Sequence, residues 1–413
     1  MGKEHISFVS HPRHAHVYPT LSIVSALVRR GFTVTYVTSS QFAARVTELG
    51  AEVILGPAVL IKSEMRIEIV PPSGLMISDY KDDGDEPLVD RLVRLTIAAV
   101  SPRYDADKPD LIVYDFVALA GRVIAKRLGV PAIQTSPVFA HDPDRFCEQV
   151  KNSLWRDQLL REGNVNDACL KRFGVEGSDF VFHRERLNVY LFPRAIQPEG
   201  NFHTRNFFYA ARCAAERPSR ETIQTRGFGG KPVCFIVTST SYLRDPSFYR
   251  MFIEAFRDGK WHVILNLGDI CDADDLGDIP SNFELTKNID NTLVLPRANL
   301  FISQGGIVSE SEALYHGVPL LILSCGFLEL EWQADNVEEL GVGIHLTGSE
   351  TNAKNIRQAA DTMASDEALH ERVGEMSRRI RREAGAEETA DRIVEFLTED
   401  QPSSTAFVPF YRR

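Results

Sequence analysis

The sequence predicts an α/β protein made of two doubly wound domains, each built on a parallel sheet. The chain has 413 residues, which is more than a domain with a single hydrophobic core usually contains. The first hundred residues, and again the stretch that starts near residue 231, alternate short β-branched or apolar runs with amphipathic stretches. Such alternation is typical of βαβ units, whose strands pair in parallel.

Strand and helix signals alternate through the first half. His5–Ser10 is a short apolar run, and Pro19 is expected to open an amphipathic helix that Gly31 ends. A proline in the first turn and cations in the last turn, here Arg29 and Arg30, favour a helix. Further strands are expected at Thr33–Thr38, Glu52–Leu55, Leu111–Tyr114 and Val130–Gln134, and further helices at Gln41–Leu49 and Gly121–Leu128.

A polar segment that contains proline and glycine, at 216–231, separates these elements from a second series of strand and helix signals. Strands are expected there at Val233–Val237, Trp261–Leu265, Leu293–Leu295, Leu300–Ile302 and Leu320–Leu323. Helical periodicity over Ala359–Leu397 predicts closing helices. We therefore expect domains at residues 1–220 and 221–385, followed by a C-terminal helix and tail at 386–413.

Composition narrows the function classes. The chain is 44% hydrophobic and 25% charged, as globular proteins are, and its net charge is −11 without a long basic run. That charge argues against nucleic acid or an anionic membrane surface as partner. The six cysteines form no CxxC, so neither a zinc site nor a disulfide framework is expected. With no signal-peptide pattern and no apolar run of about 18 residues, we expect a cytoplasmic protein without a membrane span.

The loops after the strands carry the chemistry. Ligands of doubly wound sheets bind at the carboxyl ends of the strands, and two such domains are expected to share a cleft there. His14 and His16 follow the first strand, and Asp115 directly follows Leu111–Tyr114. A carboxylate can orient a histidine for proton transfer. We expect His14, which is nearer the strand, to pair with Asp115 and His16 to be structural, although both partners could simply cap helices.

The motifs in this half resemble those of a known family. His14–Leu21 is similar to the H-G-H-V-N-P-S-L segment of antibiotic and macrolide glycosyltransferases, which are inverting enzymes of the GT-B class, and Leu111–Asp115 is similar to their L-I-V-Y-D. The similarity spans nearly the whole chain and is especially marked at Val337–Gly343. The resemblance implies a GT-B fold, with two Rossmann-like domains facing a cleft and a C-terminal helix that closes back. It also implies that His14 is the general base, that Asp115 orients it, and that no metal is needed.

The resemblance further implies a nucleoside diphosphate sugar, such as a UDP- or TDP-sugar, as co-substrate in the second domain, with no other cofactor. The expected contacts are Ser239, Thr240, Asn288, Gln304, Gly305, Gly306, Ser309, Glu329 and Leu330. Three positions depart from the family pattern. Gln304 stands where a histidine contacts the diphosphate, Asn288 where a tryptophan stacks on the base, and Leu330 where a glutamine binds the sugar.

Apolar loops rich in phenylalanine and leucine predict a hydrophobic, polyketide-like acceptor near Met76, Phe116 and Phe139, although ordinary core packing is the favoured explanation for Phe116. Two other functions stay open. A repurposed relative without sugar-nucleotide binding could use His14 and Asp115 for elimination, isomerisation or cyclisation of a natural-product intermediate. A non-catalytic partner protein is the other alternative, and the sequence leaves a homodimer open.

Overall fold

The computed structural model describes residues 4–62, 66–70, 87–140, 156–175, 183–198, 205–217, 230–238, 246–268, 271–287, 289–324 and 328–399. The chain forms two compact units. The first unit comprises residues 1–191, 199–213 and 384–413, and the second comprises residues 192–198 and 214–383. The division therefore falls at residue 213 rather than 220, and the C-terminal helix belongs to the first unit.

The strands in chain order are β1 (His5–Val9), β2 (Thr33–Thr38), β3 (Glu52–Leu55), β4 (Ala58–Lys62), β5 (Arg66–Val70), β6 (Leu111–Asp115), β7 (Ala132–Ser136), β8 (Asn188–Tyr190), β9 (Phe207–Tyr209), β10 (Val233–Val237), β11 (His262–Asn266), β12 (Phe283–Thr286), β13 (Leu300–Ser303), β14 (Leu320–Leu323) and β15 (Gly343–Leu346). The helices are α1 (His14–Arg29), α2 (Ser40–Glu48), α3 (Leu88–Ala106), α4 (Leu119–Leu128), α5 (Arg156–Arg172), α6 (Pro246–Phe256), α7 (Asn291–Val294), α8 (Ile307–Tyr315), α9 (Leu328–Glu339), α10 (Ala353–Ser365), α11 (Glu367–Ile380) and α12 (Ala386–Thr398).

The sheet of the first unit has the order β3-β2-β1-β6-β7-β8-β9, with parallel pairing throughout. Strand order reverses between β1 and β6, which makes the carboxyl ends of these two strands the switch point where such sheets bind ligands. The strands β4 and β5 form a separate antiparallel pair.

Both faces of this sheet are covered, as its almost unbroken apolar strands require. On β1, Ile6 and Phe8 enter one core and Val9 enters the other. The core on the Ile6 side also contains side chains of α1 and of the C-terminal helix α12, so residues at opposite ends of the chain share one apolar layer. The core on the Val9 side contains side chains of α3 and α4.

The sheet of the second unit has the order β12-β11-β10-β13-β14-β15, and it too is parallel throughout. Its switch point lies between β10 and β13. Two doubly wound parallel sheets confirm the predicted fold class.

Two predicted elements were wrong. Leu293–Leu295 is helical rather than a strand, because the Asp290 carboxylate caps α7 by accepting a hydrogen bond from the Thr292 N–H at 3.0 Å. An apolar run of three residues cannot distinguish the two conformations. The first helix begins at His14 and not at Pro19, with Arg13 as its extended N-terminal cap. Both loop histidines are therefore helical residues.

Gly121 marks the tightest packing of α4 on the sheet. A Cβ at this position would lie 2.3 Å from the Tyr114 Cβ and 3.2 Å from the Val9 Cβ. We expect Gly121→Ala to destabilise the protein by about 1–3 kcal/mol, because overpacking outweighs the gain of about 1 kcal/mol in helix propensity. The midpoint of urea unfolding measures it. The control is Gly374→Ala in α11, where only the flexible end of Arg378 lies nearby, at 3.5 Å. That change should be neutral or stabilising, and equal effects of the two substitutions would contradict the packing argument.

Candidate active site

A histidine and an aspartate meet at the switch point of the first sheet. Asp115 is the last residue of β6, and His16 lies in the first turn of α1, which follows β1. The His16 Nδ1–H donates to Asp115 Oδ2 at 2.7 Å, and the two side chains are 15% and 1% exposed. The backbone N–H of Val117 donates to Asp115 Oδ1 at 3.1 Å, so both carboxylate oxygens are engaged.

This hydrogen bond fixes the form of the imidazole. An ionised carboxylate only accepts, so the Nδ1 that faces Asp115 carries a proton, and in the neutral form of the ring the lone pair lies on Nε2. Within the described ranges Nε2 has no hydrogen-bond partner. A neutral histidine oriented by a buried carboxylate, with a free acceptor nitrogen, is the arrangement of a general base.

The expected pairing of Asp115 with His14 is wrong. The His14 ring instead packs edge-on against Tyr18, at 4.9 Å between ring centroids, and against Phe42, at 5.1 Å. Residues two apart on a helix are separated by about 200° around its axis, so His14 and His16 point to opposite sides. His16, expected to be structural, takes the position beside Asp115. The signal that was missed is the true start of α1, which decides the face that each histidine occupies.

Two further rings surround His16. The Phe116 ring stacks beside it at 6.3 Å between centroids, and the His11 ring meets its edge at 4.9 Å. Burial, followed by the proximity of His16, lowers the pKa of His11 to about 3, so this second imidazole is neutral near pH 7. Sequence reasoning did not single out His11. Its neutral ring borders the pair without adding charge to it.

The predicted acceptor contacts are only partly visible. Phe116 lies beside His16, as described, whereas Phe139 is buried in the segment that follows β7. Met76 falls outside the described residues.

In the second unit, β13 leads through a glycine pair into α8. Gly305 has φ +96°, and a Cβ there would lie 2.9 Å from the carbonyl oxygen of Leu330, so the start of α9 packs directly on this turn. Gly306 is the residue that caps α8, and among the described residues a Cβ added there would meet no atom within 4 Å. Backbone N–H groups at such a helix start, with the helix dipole behind them, favour anions.

The other expected donor contacts are distributed as follows. Ser309 lies in the first turn of α8 and its Oγ accepts a hydrogen bond from Asn291 Nδ2 at 3.4 Å, while Gln304 is buried at the end of β13. Ser239, Thr240 and Asn288 are outside the described residues, as is the side chain of Glu329. The structure thus brings Gly305 together with Leu330 and places Gly306 and Ser309 at one helix start.

A buried arginine lies between two carboxylates in the second unit, and sequence reasoning did not single it out. Arg217 donates through Nη2 to Asp290 Oδ1 at 2.5 Å and through Nη1 to Glu312 Oε1, and all three side chains are at most 2% exposed. Burial opposes ionisation of Asp290, but the Arg217 charge and the Thr292 hydrogen bonds outweigh it and lower its pKa. Burial raises the pKa of Glu312, and Arg217 offsets this only in part. We call these three residues the arginine cluster.

Glu310, in the first turns of α8, is buried without an ionic partner in the described residues. Its Oε1 has no hydrogen-bond partner there, and burial raises its pKa to about 8. The folded state then holds a proton that the unfolded chain releases near pH 4.5. Stability should therefore fall as pH rises from about 4.5 through about 8.

Glu310→Gln removes this titration without changing the shape of the side chain. We expect the variant to be more stable than the parent at pH 8–9 and to lose less stability as pH is raised. Thermal unfolding from pH 5 to 9 checks this. Glu371→Gln on the exposed face of α11 is the control and should follow the parent. An unchanged pH dependence for Glu310→Gln would contradict the assignment.

Within the described residues no helix is long and apolar enough to cross a membrane, and no group of three His, Cys, Asp or Glu side chains could hold a metal ion.

The known proteins that are similar to this chain include glycosyltransferases that match it along almost its whole length. Residues 258–399 match the family model of the erythromycin biosynthesis protein CIII-like C-terminal domain. The NDP-glycosyltransferase YjiC of Bacillus licheniformis is 34% identical over 96% of this chain and 98% of its own length. The demethyllactenocin mycarosyltransferase of Streptomyces fradiae is 28% identical over 95% of this chain and 87% of its own. The crystal structure of CalG4, the calicheamicin glycosyltransferase, superposes with a TM-score of 0.71 at 28% identity, covering 97% of this chain and 100% of that one.

Proposed function

The chain belongs to the glycosyltransferase family of these NDP- and antibiotic glycosyltransferases, and from that premise we propose that it moves a sugar from a nucleoside diphosphate to a hydroxyl of a hydrophobic acceptor, with inversion. The observation that carries the proposal is the hydrogen bond of 2.7 Å between His16 and Asp115 at the switch point of the first sheet. This hydrogen bond orients His16 to act as a base toward the acceptor hydroxyl, and such a transfer requires that hydroxyl to lose its proton.

In the proposed reaction, His16 Nε2 takes the proton of the acceptor hydroxyl while the oxygen attacks the anomeric carbon. The bond between that carbon and the diphosphate oxygen breaks, and its electron pair leaves with the diphosphate. Because the attack comes from the face opposite the leaving group, the configuration inverts. Asp115 stabilises the imidazolium that forms, as the carboxylate of a catalytic triad does.

The leaving diphosphate is proposed to bind at the start of α8. The backbone N–H groups after Gly305 and the hydroxyl of Ser309 supply hydrogen-bond donors, and the helix dipole favours the charge. We propose a UDP- or TDP-sugar as co-substrate. Because Gln304 carries no charge where the family pattern has a histidine, we expect weaker electrostatic stabilisation of the diphosphate than that pattern provides.

The acceptor is proposed to lie against Phe116, whose ring stands beside the imidazole that would deprotonate it. An aromatic surface next to the base suits an aromatic or polyketide-like alcohol, whose apolar body gains from burial.

The test is turnover by the full chain with UDP-glucose and TDP-glucose and a panel of phenolic and macrolide alcohols. Mass spectrometry detects sugar addition, and the anomeric proton coupling in the product distinguishes inversion from retention. Product with inverted configuration supports the proposal. No product with any pair, together with no calorimetric heat from UDP or TDP at millimolar concentration, would overturn it. Conversion of an alcohol or ketone intermediate without any donor would favour the repurposed acid–base enzyme instead.

A further inference from the structure

Three polar side chains of the second unit lie in series near the carboxyl ends of its strands. Ser324 directly follows β14, His345 lies on the neighbouring strand β15, and Asp335 lies on α9, the helix that joins these strands. The Ser324 Oγ is 2.6 Å from His345 Nε2, and His345 Nδ1 is 3.2 Å from Asp335 Oδ1. These contacts link a hydroxyl, an imidazole and a carboxylate in one chain, and we call the three residues the serine triad.

The carboxylate decides the direction of both hydrogen bonds. An ionised carboxylate only accepts, so the Nδ1 that faces Asp335 carries a proton, and in the neutral form of the ring the lone pair lies on Nε2. The Ser324 hydroxyl then donates its proton to Nε2. Within the described ranges this is the only hydrogen bond of Ser324 Oγ, so its lone pairs stay available for attack. A serine whose proton points at an oriented imidazole is an activated nucleophile.

Acidic side chains of α9 surround the imidazole. Asp335 contacts Nδ1, and Glu331, one turn earlier on the same helix, places Oε2 at 3.5 Å from Nε2. The backbone N–H of His345 donates to Glu338 Oε1 at 3.0 Å, which holds β15 beside α9. When His345 takes the serine proton, attraction to Asp335 and Glu331 stabilises the imidazolium that forms.

Ser324 occupies a position in the fold that suits a nucleophile. It lies between a parallel strand and the helix that follows, where α/β-hydrolases hold their catalytic serine. The chain order Ser324, Asp335, His345 is also the order of serine, acid and histidine in those enzymes. Ser324 is 5% exposed, which suits an ester with a small acyl group rather than a bulky one.

A similar set of atoms in the first unit shows why this position matters. His5 Nε2 lies 2.9 Å from Thr35 Oγ1, and His5 Nδ1 lies 3.4 Å from Asp107 Oδ2. Thr35 is fully buried within β2, and His5 begins β1, at the edge of the sheet opposite the carboxyl ends of its strands. A hydroxyl without exposed surface cannot react with a substrate. The serine triad has comparable contacts but lies where doubly wound sheets bind ligands.

We propose that the serine triad is a second catalytic site, at which Ser324 cleaves a carboxylic ester with a small acyl group. Ser324 Oγ attacks the carbonyl carbon while its proton passes to His345 Nε2. The bond between that carbon and the alcohol oxygen then breaks, and the oxygen leaves with the proton from His345. Water attacks the acyl-serine in the same way, its proton passes through His345 to Ser324 Oγ, and a carboxylic acid is released. This activity does not depend on the proposed glycosyl transfer.

A fluorophosphonate that carries a fluorophore tests the nucleophile, because it modifies activated serines and not ordinary ones. With the full chain we expect a single adduct, which peptide mapping by mass spectrometry should place on Ser324. Ser324→Ala should abolish the labelling. The matched control is Ser136→Ala, which should be labelled as the parent is. Ser136 ends β7 and is 7% exposed, but its Oγ donates to the carbonyl oxygen of Val138 at 3.3 Å rather than to a histidine.

Hydrolysis of p-nitrophenyl acetate tests the histidine and the carboxylate. The parent should release p-nitrophenolate in a burst that matches the amount of protein, because the acyl-serine accumulates. Ser324→Ala should remove the burst. His345→Gln should slow it by about two to four orders of magnitude, which is the usual contribution of a general base. Asp335→Ala should slow it about tenfold, the effect of one hydrogen bond.

Thermal unfolding of each variant separates loss of the nucleophile from loss of the fold. Ser324→Ala removes one atom and should unfold close to the parent temperature. An unlabelled parent, an adduct on a residue other than Ser324, or labelling that survives Ser324→Ala would overturn the proposal. The first two outcomes are measured on the parent protein, so the test does not require any variant to fold. Absence of sugar transfer would overturn only the proposed function, because neither the fluorophosphonate nor the ester requires a sugar donor.

Discussion

Replacing His16 with alanine is expected to lower kcat by about two to four orders of magnitude, which is the usual contribution of a general base. Nε2 of this residue is the ring nitrogen that the Asp115 hydrogen bond orients, and the acceptor alcohol is proposed to lie beside the neighbouring Phe116 ring. Steady-state turnover at saturating donor and acceptor measures the loss. Donor affinity, measured by calorimetry, should not change, because the donor is proposed to bind in the second unit.

His14→Ala is the matched control two residues away. It removes edge-on contacts with Tyr18 and Phe42, which are worth about 0.5–1.5 kcal/mol per aromatic pair, so it should cost stability. Its kcat should stay within severalfold of the parent value. If His14→Ala were the more damaging of the two, the assignment of the base to His16 would fail.

Asp115→Asn is expected to be nearly as damaging, by about two to four orders of magnitude in kcat, although it changes only one atom. The Val117 N–H requires an acceptor at the position of Oδ1, so the amide oxygen stays there and the amide NH2 faces His16. His16 Nδ1 must then accept, and its proton moves to Nε2. A protonated Nε2 cannot take the proton of the acceptor hydroxyl.

The ring nitrogens report this change directly. In the parent, ¹⁵N NMR should show a protonated Nδ1 on His16, and in Asp115→Asn a protonated Nε2. Asp115→Ala is informative beside it, because it removes the orienting group without imposing the wrong tautomer. We expect it to retain more activity than the asparagine variant. The opposite ranking, or an unchanged tautomer in Asp115→Asn, would contradict the role given to the carboxylate.

The architecture could be predicted because it depends on local patterns. β-branched and apolar runs at Thr33–Thr38 and Val233–Val237 fall on β2 and β10, and parallel pairing follows from the spacing between runs. The wrong predictions have physical causes too. The run Leu293–Leu295 is too short for its periodicity to distinguish a strand from a helix, and the Asp290 cap favours the helix.

The candidate site was harder to predict, since it depends on where one helix begins. Asp115 was found because it directly follows a buried strand, whereas the choice between His14 and His16 required the first residue of α1. The arginine cluster unites residues 217, 290 and 312, which no spacing rule connects. Sequence patterns show which polar residues lie at a sheet edge. They do not show which residues distant in the chain pair with one another, because that depends on the three-dimensional fold.

The structure shows the surroundings of one position that departs from the family pattern. Leu330, in place of a sugar-binding glutamine, packs its backbone on Gly305 and brings an apolar side chain to that turn. Relatives named as glycosyltransferases match along almost the whole chain, and they do not favour the repurposed enzyme or the non-catalytic partner.

The packing of α12 behind α1 has a consequence for biosynthesis. Ala390, Ile393 and Phe396 share an apolar layer with Val17 and Leu21, and Glu387 pairs with Arg30 at 2.9 Å. The helix that carries His16 is therefore backed by a helix that is translated only after residues 214–383 of the second unit. A nascent chain lacks that support until α12 has been synthesised, so a chain that stops before residue 386 would leave part of the apolar layer of the first unit uncovered.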